Sequence, residues 1–208
     1  MAIRFCIPDL TTGDNDGTSE THAWQTIAQC ISNYAAGDHV YFKTAADGSR
    51  ANSEDVGQDG GSGRSQFATA STDSSGPTIF EGYKDTPGDR GMFMMGGCAR
   101  IQGDNITVLY WDVDSGNSNN GAFQLDGDGT LLYRCVASNS YGTGSSSSPP
   151  TIKMADATIL ECAVYGSGDA TTEGVVAANG NAKIINCYIE LRESLSGSMV
   201  NGCAIVMN

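Results

Sequence analysis

The sequence has few basic residues: 11 lysines and arginines stand against 24 aspartates and glutamates, and the formal net charge is −13. A chain this acidic repels phosphate backbones, which excludes nucleic acid as an expected partner. The sequence also lacks a basic amphipathic segment and a long apolar run. Neither an anionic membrane surface nor a membrane span is therefore expected.

Metal ligands are scarce as well. The chain has two histidines, His22 and His39, and none of its seven cysteines has the CxxC spacing of a zinc or redox site. The run Asp14–Gly17 is the best local candidate for Ca²⁺, but it lacks the glutamate that ends an EF-hand loop. An Asx turn is the simpler interpretation of this run. We therefore expect no cofactor, with Ca²⁺ as the alternative.

The beginning of the sequence contains no apolar stretch of signal-peptide length. We therefore expect a protein that is made in a reducing cytoplasm, where its odd number of cysteines stays unpaired. In this interpretation Cys135, Cys162 and Cys187 are small, buried hydrophobic residues. An extracellular location is the alternative.

The second half of the sequence consists of repeats. Four segments that begin at Asn105, Gly129, Ala157 and Lys183 can be aligned as similar lines. One column of this alignment holds Trp111, Cys135, Cys162 and Cys187, and a second register holds Phe123, Ile152, Val176 and Ile205. The lines are short strands separated by Gly, Asn and Ser, without helical periodicity. This pattern predicts a β-solenoid.

The first half of the sequence predicts how the solenoid starts. Residues 19–34 have an apolar face that predicts one amphipathic helix with Ser19 as its N-cap. We expect Trp24 on this helix to cover the open end of the first coil. His39–Lys43 is predicted as the first strand.

The domain organisation follows from these segments. The chain is predicted to be one domain, with residues 1–37 as lead-in and capping helix and residues 38–208 as coils. Residues 45–76 are polar and rich in glycine and serine, so we expect them to form a long excursion from the first coil.

Three segments carry a resemblance to a known superfamily: Asp16–Ile27, Ala36–Phe42 and Gly76–Tyr83. Later lines add inward aliphatic residues with Asn or Cys near a bend, as in Ile184–Cys187. Over nearly its whole length the chain resembles the right-handed parallel β-helix superfamily, often called pectate-lyase-like. The resemblance implies an all-β, right-handed parallel β-helix with an N-terminal capping α-helix. It does not imply one function, because the superfamily contains lyases, hydrolases, epimerases, adhesins and viral spikes.

The resemblance also implies what an active site would need. Lyases of this superfamily use an Arg or Lys base beside acidic Ca²⁺ ligands, and its hydrolases use carboxylates on adjacent coils. No column beside the cysteines stacks two acids, and Arg134 over Glu161 in the bend column predicts a structural ion pair. If the chain is an enzyme, a polysaccharide lyase or glycoside hydrolase, the candidate catalytic residues are Asp112, Asp114 and Asp126.

The residues before the bend predict a partner surface. Leu109, Tyr133, Leu160 and Ile185 are expected to point outwards and to form an apolar stripe four coils tall. Soluble monomers seldom expose such a stripe, so a homo-oligomer, with a trimer as first choice, or another virion protein is expected to cover it. A register shift of one residue would instead exchange the inward and outward sets.

Three loops vary in length between coils, at 139–150, 166–173 and 194–199. Insertions of this kind leave the core unchanged and often build binding surfaces. Tyr141, Ser145 and Ser146 are the residues that we expect to bind a glycan or a neighbouring protein. The alternative is that these loops are merely solvated.

These features favour a non-enzymatic virion protein of a bacteriophage, a capsid decoration, fibre or spike component that acts in particle assembly or in surface or glycan attachment. Such a protein is released by lysis and needs no export signal. The alternative is a polysaccharide lyase or hydrolase of the same fold, such as a tailspike-like depolymerase. A bacterial adhesin is disfavoured because no export signal is seen.

Overall fold

The computed structural model of the chain describes residues 1–52, 64–69, 75–115, 121–140, 150–168, 173–177, 181–193 and 203–207. Within these ranges the chain is mostly β-structure, with one short α-helix, α1 (Ile27–Asn33), and a 3-10 helix at Glu20–His22. None of the described helices is long and apolar enough to cross a membrane.

The strands form three sheets. Sheet A contains, in spatial order, β1 (Ile3–Cys6), β2 (His39–Lys43), β5 (Thr78–Tyr83), β8 (Ile106–Leu109), β11 (Leu131–Tyr133), β14 (Thr158–Leu160) and β17 (Lys183–Ile185). Sheet B contains β3 (Ala51–Asn52), β6 (Phe93–Gly96), β9 (Trp111–Asp114), β12 (Val136–Ser140), β15 (Ala163–Gly168) and β18 (Tyr188–Glu193). Sheet C contains β4 (Arg64–Phe67), β7 (Cys98–Ile101), β10 (Phe123–Leu125), β13 (Ile152–Met154), β16 (Glu173–Ala177) and β19 (Cys203–Met207).

The order of the strands makes the fold solenoid-like. From β2 onwards the chain visits sheets A, B and C in turn, and each strand pairs in parallel with the strand one coil earlier or later, as β5 does with β2 and β8. Parallel pairing places equivalent side chains of successive coils in stacked columns. The predicted all-β architecture with parallel coils is therefore confirmed.

One residue makes the corner between sheets A and B. In four successive coils this residue has a positive φ between 51° and 57°: Tyr110, Arg134, Glu161 and Asn186. The left-handed conformation turns the chain without leaving the ladder, because the Arg134 amide still donates to the Leu160 carbonyl at 3.0 Å. The residue after the corner points inwards, which produces the column of Trp111, Cys135, Cys162 and Cys187.

The cysteines behave as small core residues. Cys135 and Cys162 are buried, Cys187 is half-buried, and all three are free thiols. Their sulfurs lie 3.2 to 3.6 Å from backbone carbonyls of sheet A. The prediction that these thiols face the core without forming disulfides is confirmed, with Cys187 less buried than expected.

The predicted helix over residues 19–34 is wrong in its length and position. Ser19 precedes only a 3-10 turn, and α1 begins after Thr26, whose hydroxyl accepts the Gln29 amide at 3.0 Å. Between them Trp24 is extended, because its amide donates to the Phe5 carbonyl and its carbonyl accepts the Ile7 amide. Strand β1 precedes the helix, so the first strand of sheet A is not His39–Lys43, as was predicted, but Ile3–Cys6.

Along the chain, the helix comes between β1 and β2. In space it packs against β4, the edge strand of sheet C. Ile27 and Cys30 are buried in the same core as the strands. Tyr34 follows the helix, stands edge-on to Phe80 at 5.2 Å and accepts the Thr69 amide on its hydroxyl at 2.8 Å. No described strand of sheet C precedes β4. At this edge α1 and Tyr34 pack where an earlier strand would lie.

Two further sequence predictions need correction. Residues 45–76 are not simply an excursion, because β3 and β4 lie within them and Phe67 is fully buried. The polar composition of Arg64–Phe67 hid an alternation that points Ser65 and Phe67 inwards. The second register was one residue off, because Ile152 pairs with Val175, not Val176, and Val175 pairs with Ile205. Because Val175 and Val176 are adjacent and identical, the apolar pattern alone could not show which of them pairs with Ile152.

Candidate functional site

Sheet A carries a group of polar and aromatic side chains on its outer face. Val40 and Phe42 of β2 point into the core, so the alternate residues of β2 point away from it. The same alternation applies to β5, where Phe80 points inwards. The side chains that meet outside are His39, Tyr41, Lys43, Glu81 and Tyr83, which we call the outer cluster.

One end of the outer cluster is a histidine–carboxylate pair. His39 Nε2 lies 2.8 Å from Glu81 Oε2, and the two side chains are only 14% and 12% exposed. Tyr41 stacks on the imidazole with ring centroids 4.3 Å apart, and Phe5 stacks on Tyr41 at 5.8 Å. Burial, together with the charge of Glu81, raises the pKa of Tyr41, so its phenol is neutral at physiological pH.

The other end of the cluster is a lysine–carboxylate pair on an aromatic ring. Lys43 Nζ lies 3.1 Å from Glu20 Oε2 and 5.5 Å from the ring centroid of Tyr83. The Tyr83 hydroxyl is buried, and no residue that the structure describes makes a hydrogen bond of ordinary geometry with it. Burial, followed by the charge of Glu20, raises the pKa of Tyr83 well above its usual value. Tyr83 is therefore a neutral, buried donor beside a carboxylate.

A cleft of about 540 Å³ opens next to this lysine end. The lead-in segment from Ile7 to Thr12 contributes to its lining, as do Glu20 and Lys43. The turns that follow β2 and β5 complete it, with Ala45 from the first turn and Asp85 from the second. Its volume lies within the range of roughly 300–1,000 Å³ that is typical of small-molecule sites.

A single carboxylate fixes the turn that follows β5. Asp89 accepts the backbone amides of Lys84, Asp85, Thr86 and Gly91 at 2.7 to 3.3 Å. Desolvation opposes the ionisation of Asp89, but these amides together lower its pKa to about 2. The ionised side chain thereby holds Lys84 and Asp85 at the rim of the cleft.

Two of the three acids proposed from the sequence are paired with arginine in the structure. Both carboxylate oxygens of Asp112 accept hydrogen bonds from Arg50 at 3.0 Å. Asp126 accepts one from Arg100 Nε at 2.7 Å. Asp114 lies on the same face of β9 as Asp112, whereas Asp126 follows β10 in sheet C. The structure thus places Asp126 on a different sheet from the other two.

The predicted apolar stripe is a column of sheet A. Leu109, Tyr133, Leu160 and Ile185 are successive register partners, half-buried except for Ile185, which is 42% exposed. Glu81 lies before Leu109 in the same column, which therefore continues into the outer cluster. Whether a partner covers this stripe stays a prediction. The predicted binding residues Tyr141, Ser145 and Ser146 lie outside the described residues.

The Asp14–Gly17 run forms a turn. Asp16 Oδ1 accepts both the amide and the hydroxyl of Thr18, at 2.9 and 2.7 Å. The Thr18 hydroxyl, followed by its amide, lowers the pKa of Asp16. Among the residues that the structure describes, no three His, Cys, Asp or Glu side chains are grouped closely enough to hold a metal ion.

The outer cluster was missed at the level of sequence. The sequence pattern places His39 on a strand and gives Glu20, Glu81 and Tyr83 no role in a site. The available signal was the alternation of polar with core residues in 39–43 and 79–83. Without the pairing of β2 with β5, nothing in that pattern puts His39 beside Glu81.

Comparisons with known proteins give little further identification. No family model matches the chain, and no curated protein matches it. A solved structure described as a rhamnogalacturonan lyase aligns with the whole chain at a TM-score of 0.46 and 11% sequence identity. The alignment covers 63% of that protein, so our chain spans less than two thirds of its length.

Proposed function

We propose that the chain is a right-handed parallel β-helix of the pectate-lyase-like type and that α1 covers its first coil. Parallel strands joined by crossover connections are right-handed in about 98% of cases. The packing of α1 against the edge strand β4 supports a covering role, since an exposed edge would otherwise present unpaired backbone groups.

We propose further that this β-helix is a non-enzymatic attachment protein, a capsid decoration, fibre or spike component of a bacteriophage virion. The observation that carries this proposal is the use of outward acids as links between coils. Asp112, Asp126 and Glu161 each pair with an arginine from another part of the solenoid. Carboxylates paired in this way are not free for acid–base chemistry.

The thiols support the same proposal. Cys6, Cys30, Cys98, Cys135 and Cys162 are buried and unpaired. Burial raises the pKa of the Cys98 thiol to about 12, which makes it unreactive at neutral pH. Buried free thiols favour folding in a reducing cytoplasm, where a virion protein is made before lysis.

The test of this proposal measures particle association and catalysis together. We expect the protein to co-sediment with phage particles and to release neither reducing ends nor unsaturated uronate products from acidic or neutral bacterial polysaccharides. Leu160→Asp should reduce co-sedimentation by placing a charge in the stripe, while Lys153→Asp, an exposed change on sheet C, serves as the control. Polysaccharide cleavage without particle association would reject the proposal.

One observation favours a second candidate, a polysaccharide lyase or hydrolase. The outer cluster brings histidine, lysine, tyrosine and carboxylate side chains to one face beside a cleft. The His39–Glu81 contact has the spacing of a general base and its orienting group. If cleavage is observed, His39→Gln should abolish it with the fold intact, whereas Asp112→Asn should not.

A further inference from the structure

The outer face of sheet A is an apolar surface whose side chains are arranged symmetrically. We propose that two copies of the chain pack these faces against each other around a two-fold axis, with their solenoid axes antiparallel. The inference deepens the proposed attachment function, on which it rests for its biological role, and it names the partner of the stripe. A dimer offers two points of attachment to one particle, and two linked weak contacts hold more tightly than one.

The pattern of outward side chains is the same on both sides of β11. The two outward residues of β11 itself are Leu131 and Tyr133. Each strand next to β11 presents one threonine and one leucine in the same order: Thr107 with Leu109 on β8, and Thr158 with Leu160 on β14. All six side chains are half-buried in the single chain. A surface that repeats itself about its centre can contact a copy of itself, as the isologous interface of a two-fold dimer requires.

The order of these residues indicates the direction of the two-fold axis. An axis parallel to β11 places β8 of one copy opposite β14 of the other and keeps the direction of the strands. Leu109 then meets the partner's Leu160, and threonine meets threonine. An axis parallel to the solenoid would instead place each leucine opposite a threonine. The first arrangement is favoured because it pairs apolar groups with apolar groups and hydroxyls with hydroxyls.

Two acidic chains can approach through this face because it carries no excess charge. At the two outward positions that the described strands of sheet A have in common, the charged side chains are Glu81 and Lys183, besides His39, which contacts Glu81 at 2.8 Å. The whole chain, in contrast, has a net charge of −13. Glu81 on β5 and Lys183 on β17 lie two strands from β11 on opposite sides. The same axis therefore brings Lys183 of each copy towards the His39–Glu81 pair of the other, where the charges are complementary.

The extent of the contact predicts a moderate affinity. Strands β5, β8, β11, β14 and β17 overlap with the same strands of the partner, and at a spacing of roughly 4.8 Å they span about 19 Å. Three residues along each strand give a width of about 10 Å. A face of these dimensions buries less than the roughly 800 Å² per partner of a standard interface. We therefore expect a monomer–dimer equilibrium at micromolar concentration, shifted towards the dimer where many copies are held on one particle.

The test measures the oligomeric state of the purified full chain by sedimentation velocity at micromolar concentrations. Lys183→Glu should raise the dissociation constant of the dimer roughly fivefold, because it places like charges opposite each other. Lys153→Glu is the matched control, since it makes the same change of charge on sheet C and should leave the constant unchanged. Both lysines are exposed, so neither change should disturb the fold. Leu160→Asp should raise the constant by at least roughly tenfold, because it buries a carboxylate in the contact.

A second measurement tests the position of the axis. Tyr133 lies on the proposed axis, so a short bis-maleimide should join two copies of Tyr133→Cys. Tyr41→Cys should not be joined, because Tyr41 lies in the same column three strands earlier, beyond the overlap. The wild-type chain is the control for the half-buried thiol of Cys187.

Several outcomes would overturn the inference. They are a stable monomer at these concentrations, a trimer, equal effects of the two lysine changes, or cross-linking of Tyr41→Cys without that of Tyr133→Cys. Particle association by a chain that sediments as a monomer would reject the dimer and leave the proposed attachment function in place. A dimer with the expected variant effects that does not co-sediment with particles would support the two-fold contact and reject the attachment function.

Discussion

The two halves of the core are built from different side chains on the same parallel framework. In the early coils Phe42, Phe67, Phe80, Phe93 and Trp111 form one cluster, with the ring of Phe42 4.7 Å from Trp111 and 5.1 Å from Phe93. In the later coils the core residues of sheets A and B are Leu132, Cys135, Ile159, Cys162 and Val164. The coil spacing is fixed by backbone hydrogen bonds in both halves, so the halves differ in the side chains that fill the core.

This comparison shows how a solenoid accommodates large rings. Gly82 is the register partner of Phe42, and a Cβ at Gly82 would lie 2.1 Å from the Tyr110 carbonyl oxygen and 2.6 Å from the Phe93 amide. The early coils are therefore packed by a few large groups, and the later coils by many small ones. The cost of a single core substitution should differ accordingly.

The largest expected effect tests that difference directly. Phe42→Ala should lower the free energy of unfolding by about 3–5 kcal/mol, because Phe42 is fully buried against four aromatic rings. Cys162→Ala removes one sulfur from the later core and should cost about 1 kcal/mol. Denaturant unfolding of both variants checks the order. Equal costs would show that the aromatic cluster is not better packed than the later core.

The next effect concerns the corner that both halves share. Glu161→Val should cost about 1–3 kcal/mol, because a β-branched residue is strained at a φ of 53°. Glu161→Gly is the matched control, since it removes the same side chain without the strain. Thermal unfolding of the two variants isolates the backbone contribution. If valine and glycine were equally tolerated, the corner would not require the left-handed conformation.

A smaller effect on the free energy of unfolding should distinguish two ion pairs that join different coils. Arg50 donates to both oxygens of Asp112 and to the Asp112 carbonyl at 2.9 Å, so Arg50→Ala should cost about 1–2 kcal/mol. The pair of Arg134 with Glu161 is exposed, and Arg134→Ala should cause no resolvable change in stability. Urea unfolding at two salt concentrations distinguishes them. A larger loss in Arg134→Ala would reverse this ranking.

The smallest expected effect is local and depends on pH. The pKa of Asp89 is lowered to about 2 from an ordinary value of 3.8, so its stabilisation is present above about pH 4 and is lost as the pH falls through 2. Hydrogen exchange of the amides of Lys84, Asp85 and Gly91 should therefore rise, relative to the rest of the sheet, as the pH falls. In Asp89→Asn this protection should be weaker at neutral pH and should not change with pH. Unchanged protection in that variant would show that Asp89 does not hold the turn.

The repeats made the later coils predictable. Each line has one inward residue directly after the bend. Two columns could therefore be assigned before any strand pairing was known: the inward column of Trp111 and the cysteines, and the outward column that contains Leu109 and Tyr133. The early coils lack this regularity. Strands β1 and β4 have only four residues each and β4 is polar, so neither is recognised alone. The pairing of Trp24 with Cys6 overrides the helical pattern around Trp24.

The outer cluster could not be predicted for a related reason. Its two ends join residues far apart in sequence, Lys43 with Glu20 and His39 with Glu81. The second contact depends on the register between two strands separated by about 40 residues, and the first depends on where an irregular segment lies. Neither is encoded in a local pattern. The same holds for Arg50, which reaches Asp112 two coils later.

The one-residue corner also sets limits on how the chain can change in evolution. Side chains alternate on both sides of Glu161, so losing one residue there would exchange the inner and outer faces of every strand until a compensating insertion. The corner that leads from sheet C into sheet A also has a left-handed residue in three successive coils, at Gly76, Asn105 and Gly129. Length changes should therefore accumulate away from these two corners, and the line through Tyr110, Arg134, Glu161 and Asn186 should serve as the reference from which homologous sequences are aligned.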